Sequence, residues 1–249
     1  MNSPVYILWL RQVKKYFRSR SRIVGALGQP ILFLIALGFG FGAIYAKAGG
    51  GNYLEFLAPG VIAMSILFTA MFSGIEVIWD RQFGFLKETL VAPVSRLWIM
   101  VGRTLGGATV AVMQGLIVFL IAMAIGFRVA DIHLLPLAFA FMVLIALFFT
   151  ALGTAIASVL EDMQGFQLIM NFLLMPLFFL SGALFPLQGL SKTFTLIASI
   201  DPLSYGVDGL RGTLVSGAHF GLAVDFSVLG VITLALLAIG TYLFSKIEI

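Results

Sequence analysis

Few side chains in this sequence could do chemistry, and they cluster. Glu76 and Asp80 stand one helical turn apart, Glu161 and Asp162 are adjacent, and Asp201, Asp208 and Arg211 crowd one short stretch. A carboxylate at membrane depth is a functional candidate by default, because burying it without a purpose is costly. Glu76 sits about a turn from the end of an apolar run, so it could snorkel or pair with Arg81 or Arg103; a structural role outweighs a proton or cation site. Asp208 and Arg211, three residues apart, can pair with each other on a short helix. The two histidines, His133 and His219, fall in expected loops, and there is no HExxH. None of the six lysines follows a glycine, so a phosphate-cradling GxxxxGK[ST] is missing and any ATP must be bound by another chain. With no cysteine, disulfides and thiolate metal sites are excluded. These residues make no enzyme, no metal site and no cofactor site on this chain.

The elements that must carry these charges are membrane helices. Of the 249 residues 61% are hydrophobic and only 10% charged, against about 25% charged in ordinary soluble domains. Several uncharged runs exceed the roughly 20 residues needed to cross about 30 Å of hydrocarbon. The expectation is one all-α polytopic domain with six spans, at about 23–45, 56–79, 104–127, 134–160, from near 165, and 226–245. Six spans put both termini in the cytoplasm, with eleven Lys and Arg inside and four outside (Lys47, Arg128, Lys192, Arg211), the asymmetry expected of a multi-pass cell-membrane protein.

Residues 1–22 predict an amphipathic helix before the first span. Val5, Leu8, Trp9, Gln12, Val13 and Tyr16 line one side, with Arg11, Lys14, Lys15, Arg18 and Arg22 on the other, a pattern suited to lying in a leaflet of anionic lipid. Residues 80–103 form the longest cytoplasmic loop. There Arg81 through Leu90 can make a short helix with Phe83, Leu86 and Leu90 on one face, Pro93 ends it, and Ser95 can cap the next helix. Such a helix suits docking to a soluble partner or resting on lipid, and the pattern does not separate the two.

A further segment, 182–222, is too broken to cross. Gly182, Pro186 and Gly189 interrupt it and Lys192 would sit deep in the bilayer, at about 2.5 to 3.5 kcal/mol. Turning back avoids that cost, so short re-entrant helices are expected, dipping in from the outer face where protein covers their backbone.

Three stretches, FLKETLVAPVSRLWIMVGR, SGALFPLQGLSKTF and IDPLSYGVDGLRG, together resemble the permease subunit of type-2 ATP-binding-cassette (ABC) transporters, in particular the daunorubicin-resistance-permease group. The family pattern falls on Glu88, Leu90, Pro93 and Arg96 in the loop. Downstream it falls on Gly182, Leu184, Phe185, Pro186, Pro202, Leu203, Tyr205, Asp208 and Arg211. Lys87-Glu88-Thr89 departs from it, where many relatives have Gly-Thr before the acid.

The resemblance implies a coupling helix between spans 2 and 3, with Arg81, Phe83, Leu86, Glu88, Leu90, Pro93 and Arg96 facing an ATPase subunit that holds ATP and Mg, and Glu161 and Asp162 in a second contact. It implies two permease copies, identical or related, and a re-entrant lid containing Gly182, Phe185, Pro186, Pro202, Tyr205, Asp208 and Arg211. It also implies a substrate path between the second and fifth spans. Met64, Phe68, Met71 and Phe72 with Asn171, Phe172 and Met175 are the candidates there, adaptable apolar surfaces that could equally just pack helix on helix. The implied activity is ATP-driven export of a hydrophobic drug, lipid or glycan-linked lipid by alternating access. The rivals are a secondary transporter using Glu76 and a membrane scaffold; nothing points to nucleic acid.

Overall fold

The computed structural model describes residues 3–47, 51–85, 94–187 and 191–245. Among these residues there are helices and no strands. Six helices are long and apolar enough to cross a membrane: α2 (Arg20–Gly40), α3 (Tyr53–Gln82), α4 (Arg96–Ile125), α5 (Ile132–Val159), α6 (Met163–Leu180) and α9 (Leu222–Phe244). They are joined by α1 (Pro4–Arg18) ahead of the first and by α7 (Lys192–Ile200) and α8 (Pro202–Leu214) ahead of the last. Leu86, Glu88, Leu90 and Pro93, and with them most of the expected coupling helix, lie outside the described residues, as does Gly189.

Local chemistry explains the helix starts. Asn52 accepts from the Leu54 N–H and donates to Glu55, closing the first turn of α3. Asp162 accepts from the N–H groups of Gln164 and Gly165 to open α6, and Asp201 accepts from that of Leu203 to open α8, whose first residue is Pro202. Ser95 occupies the N-cap position of α4, yet its side chain makes no capping bond, so the expected cap is positional only.

α3, α4 and α5 pack at the centre, with α3 the most buried span. Apolar burial drives little association in lipid, so close approach must supply the contact energy. Gly74 of α3 and Gly153 of α5 meet backbone to backbone where a Cβ would have no room, and Gly115 of α4 receives Ile66 of α3. The ends of α3 and α4 reach further than hydropathy implied, to Gln82 and back to Arg96; on these extensions Asp80 and Arg103 pair with each other and Arg81 bonds the end of α5.

The N-terminal helix departs from expectation in what its apolar face meets. Val5 and Leu8 sit on Gly102, Trp9 and Gln12 on Gly106, the Trp9 indole donates to Thr109 (3.0 Å), and the Tyr16 hydroxyl donates to Gln114 (2.6 Å). That face is covered by α4, whose glycines give it a groove. Tyr6, Leu10 and Phe17 are left on the free side, with Tyr6 and Phe17 exposed.

At the opposite end the broken segment turns back. Gly182 adopts φ +73, a left-handed turn open to glycine, directly after α6. The Leu214 carbonyl accepts from Ala130 at the rim, Gly209 takes the Phe141 ring, and Gly206 takes Ile145. Ile145 lies about 15 Å along α5 from its first turn, at roughly 1.5 Å per residue. The hairpin of α7 and α8 therefore dips into the bundle and returns, with α8 buried between α3, α5 and α9.

Candidate functional site

Two charge clusters tie α1 to the end of α3 that leads into the 80–103 loop. Asp80 accepts two bonds from Arg11 (2.8 and 3.1 Å) and a further one from Arg103. Glu76 pairs with Arg22 (2.9 Å) and Lys15 (3.5 Å). Both acids are nearly fully buried. The expected partners of Glu76 were Arg81 and Arg103, and neither fills that role. The basic face of α1 and the start of α2 reach Glu76 first, while Arg103 on α4 lies one turn further along α3, opposite Asp80. The hydrogen bonds from Arg11 to Asp80 push its guanidinium above the ordinary value against the pull of burial. With two cations on it, Glu76 has the pairing that a structural role calls for.

Arg81 instead clamps the end of α5. Its two Nη groups donate to the carbonyls of Ser158 (3.0 Å) and Leu160 (3.2 Å), which the helix end leaves without partners. Gln82 donates to the Glu161 carbonyl (3.2 Å) and the Trp79 indole meets the Met163 sulfur (2.7 Å). The structure thus brings Arg81, Glu161 and Asp162 together beside Phe83, which is 71% exposed. Arg96 is exposed at the far side of the loop.

The substrate-path candidates divide. Met64, Phe68 and Phe72 of α3 line a cavity of about 220 Å³ shared with Gly25, Gln29 and Pro30 of α2. Ser65 adds a buried hydroxyl without a partner. Pro30 and the π-helical turn Phe33–Leu37 just after it disturb α2 here. Met71 is fully buried with its backbone against Gly153, packed between helices. Asn171, Phe172 and Met175 stand exposed on α6, and Phe172 is 82% exposed on a face that also carries Leu168 and Phe179.

The lid residues do meet, but not as a salt bridge. Asp208 accepts from the backbone N–H groups of His219 and Phe220 (2.7 to 2.8 Å), whereas Arg211 donates to the Gly182 carbonyl (3.0 Å) and lies over the Phe56 ring (4.0 Å). The expected Asp208–Arg211 pair is not formed, because the turn at Ser216–Phe220 delivers two N–H donors to the carboxylate and the planar guanidinium finds an aromatic face. Burial lowers Arg211 to about 10, so it stays charged at neutral pH. Tyr205 donates to the Ser199 carbonyl (2.7 Å), locking α7 to α8, and the Tyr53 hydroxyl of α3 donates to the Leu184 carbonyl (2.8 Å). Phe185 packs edge-on to Phe194, and Pro186 borders the cavity beside Arg211.

The sequence that builds this bundle has counterparts among known proteins. The family model for the ABC-2 type transporter matches residues 4–215. The chain belongs to the ABC-2 transporter family. Nodulation protein J of Rhizobium leguminosarum bv. viciae is 29% identical over 211 residues, covering 83% of this chain and 80% of that protein. A protein named transport permease ycf38 in Cyanophora paradoxa is 28% identical over 210 residues, covering 80% and 71%. The chain is accordingly an ABC transporter permease and a multi-pass membrane protein, of a family whose permeases work with an ABC ATPase.

Within this ABC-2 permease, sequence reasoning missed Arg11, Arg22 and Tyr53 as site residues. The acids Glu76 and Asp80 signalled that cations must come, but not from which helix. It also missed Asp225, fully buried near the start of α9 with neither carboxylate oxygen meeting a donor.

Proposed function

We propose that this permease is the membrane half of an ATP-driven exporter for a hydrophobic or amphipathic compound such as a drug, lipid or glycolipid, working as a pair of copies by alternating access. The observation that carries the reading is the clamp of Arg81 and Gln82 on the α5–α6 connection. It makes the end of α3, the exposed Phe83 and Glu161 one mechanical unit, so a partner pressing on the 80–103 loop moves α3, α5 and α6 together. α1 joins that unit through Asp80 and Glu76 and rests at the cytoplasmic membrane surface. The second copy covers the exposed apolar face of α6, and cargo passes between α3 and α6 beside the α2–α3 cavity. The lid around Arg211 closes the outer side. Leu86, Glu88, Leu90 and Pro93, on which the family pattern of the loop falls or which lie beside it in sequence, share the coupling role with Phe83 in this reading.

The test is reconstitution with an ABC ATPase subunit in proteoliposomes carrying a fluorescent phospholipid or cationic dye. ATP should drive movement of the probe outward, and Phe83→Glu should weaken capture of the ATPase while the permease keeps its thermal midpoint. Movement driven by a proton gradient alone, with no ATPase bound, would overturn the reading.

A further inference from the structure

Three cations near the N-terminus have no task in the machinery above. α1 stops at Ser19, whose φ of −102 and ψ of 76 break the helix before α2 begins at Arg20. The break makes an elbow, and the concavity inside it is lined only by Arg11, Lys14, Lys15, Arg18 and Arg20 with the hydroxyl-bearing Ser19 and Ser21. Arg11 and Lys15 turn toward Asp80 and Glu76. Lys14, Arg18 and Arg20 meet no carboxylate among the described residues. The acids nearby are already matched, since Asp80 holds Arg11 and Arg103, and Glu76 holds Lys15 and Arg22. Among the described residues, positive charge is therefore in excess at this spot.

The elbow carries two further features of an anion site. Ser19 stands at the N-cap of α2 without capping it, and the first N–H groups of a helix have no partner within that helix. Beside the unpaired cations runs the free side of α1, where Tyr6, Leu10 and Phe17 follow one another at helical spacing. A cation run that served only to orient the chain would need neither a concavity nor an apolar strip at its edge. Phosphate with hydrocarbon attached matches both, whereas a bare anion uses only the first.

We propose that the α1–α2 elbow binds the phosphate of an anionic phospholipid, held by Lys14, Arg18 and Arg20 with its acyl chains along Tyr6, Leu10 and Phe17. This rests on α1 lying at the membrane surface. The lipid completes the charge balance of the elbow and holds α1 against α4, and through Asp80 and Glu76 it steadies the end of α3.

The full chain is placed in nanodiscs of phosphatidylcholine with increasing phosphatidylglycerol, and retained lipid is counted by native mass spectrometry after delipidation. The expected result is selective retention of phosphatidylglycerol. It falls roughly a hundredfold in apparent affinity in Lys14→Gln/Arg18→Gln/Arg20→Gln, about fivefold per cation, and is unchanged in Lys47→Gln/Arg128→Gln. Equal retention of the two lipids by the wild type, or undiminished selectivity in the triple variant, overturns the site. So does full displacement by millimolar inorganic phosphate, which would make it a free-anion pocket.

The chain has no cysteine, so a fluorophore on Tyr6→Cys reports α1 alone. Quenching by lipid-borne quenchers without phosphatidylglycerol selectivity sinks the site and spares the surface helix. No quenching sinks both.

Discussion

Asp80 is the residue whose loss should be felt most. Its two oxygens hold Arg11, whose side chain is 41% exposed, and Arg103, whose side chain is 3% exposed. Asp80→Asn keeps the shape and one acceptor but removes the one carboxylate bonded to Arg103 among the described residues, where its Nε and Nη1 already lack partners. Stranding one member of a buried pair costs about 3 to 5 kcal/mol, and the retained amide oxygen argues for the lower figure, about 3 kcal/mol. The Arg11 contact is half in solvent and is worth at most about 1 kcal/mol. At about 2 to 4 °C per kcal/mol for a chain of this size, Asp80→Asn should lower the unfolding midpoint by roughly 6 to 12 °C and Arg11→Ala by about 2 to 4 °C. Fluorescence-detected thermal unfolding in detergent measures both. Replacing the pair together, as Asp80→Leu/Arg103→Met, should recover most of the loss, because apolar groups of similar volume carry no stranded charge. The reasoning fails if Asp80→Asn costs no more than Arg11→Ala, or if the double replacement is as unstable as the single.

Two other outcomes follow from the lid. Arg211→Lys keeps the charge but not the plane that lies on Phe56 or the bond to the Gly182 carbonyl, so it should cost about 2 kcal/mol, read as a lower thermal midpoint matched by Phe56→Leu; a lysine variant as stable as the wild type would deny the stacking. Asp201→Ala removes the acceptor for the Leu203 N–H at the start of α8 and should cost about 1 kcal/mol, measured by the same unfolding assay; an unchanged midpoint would deny the cap.

Much of the architecture was legible because membrane insertion is a local property. A run of apolar residues of sufficient length must become a helix wherever its neighbours lie, so α2 to α6 and α9 stand where hydropathy put them, although α4 starts at Arg96 rather than near 104 and α2 ends at Gly40 rather than near 45. Gly182, Pro186 and Lys192 likewise forbid a crossing on their own energetics, whatever surrounds them, and the turn after α6 obeys.

Pairing was not legible, because it depends on which helices come to lie side by side. The periodicity of α1 shows that one face is apolar and another basic; only packing reveals that glycines of α4 cover the first and that Arg11 and Lys15 are claimed by acids on α3. Asp208 and Arg211 sit at a spacing that suggests a bond, yet a turn eleven residues on and a ring on α3 outcompete it. The sequence by itself determined that this chain spans the membrane six times and folds back before the last span, since each segment's transfer energy decides that alone. The tertiary structure alone decided which charges are spent on one another and which, at the α1–α2 elbow, meet no carboxylate among the described residues. Coulomb partners a few ångströms apart in space can be far apart in the chain.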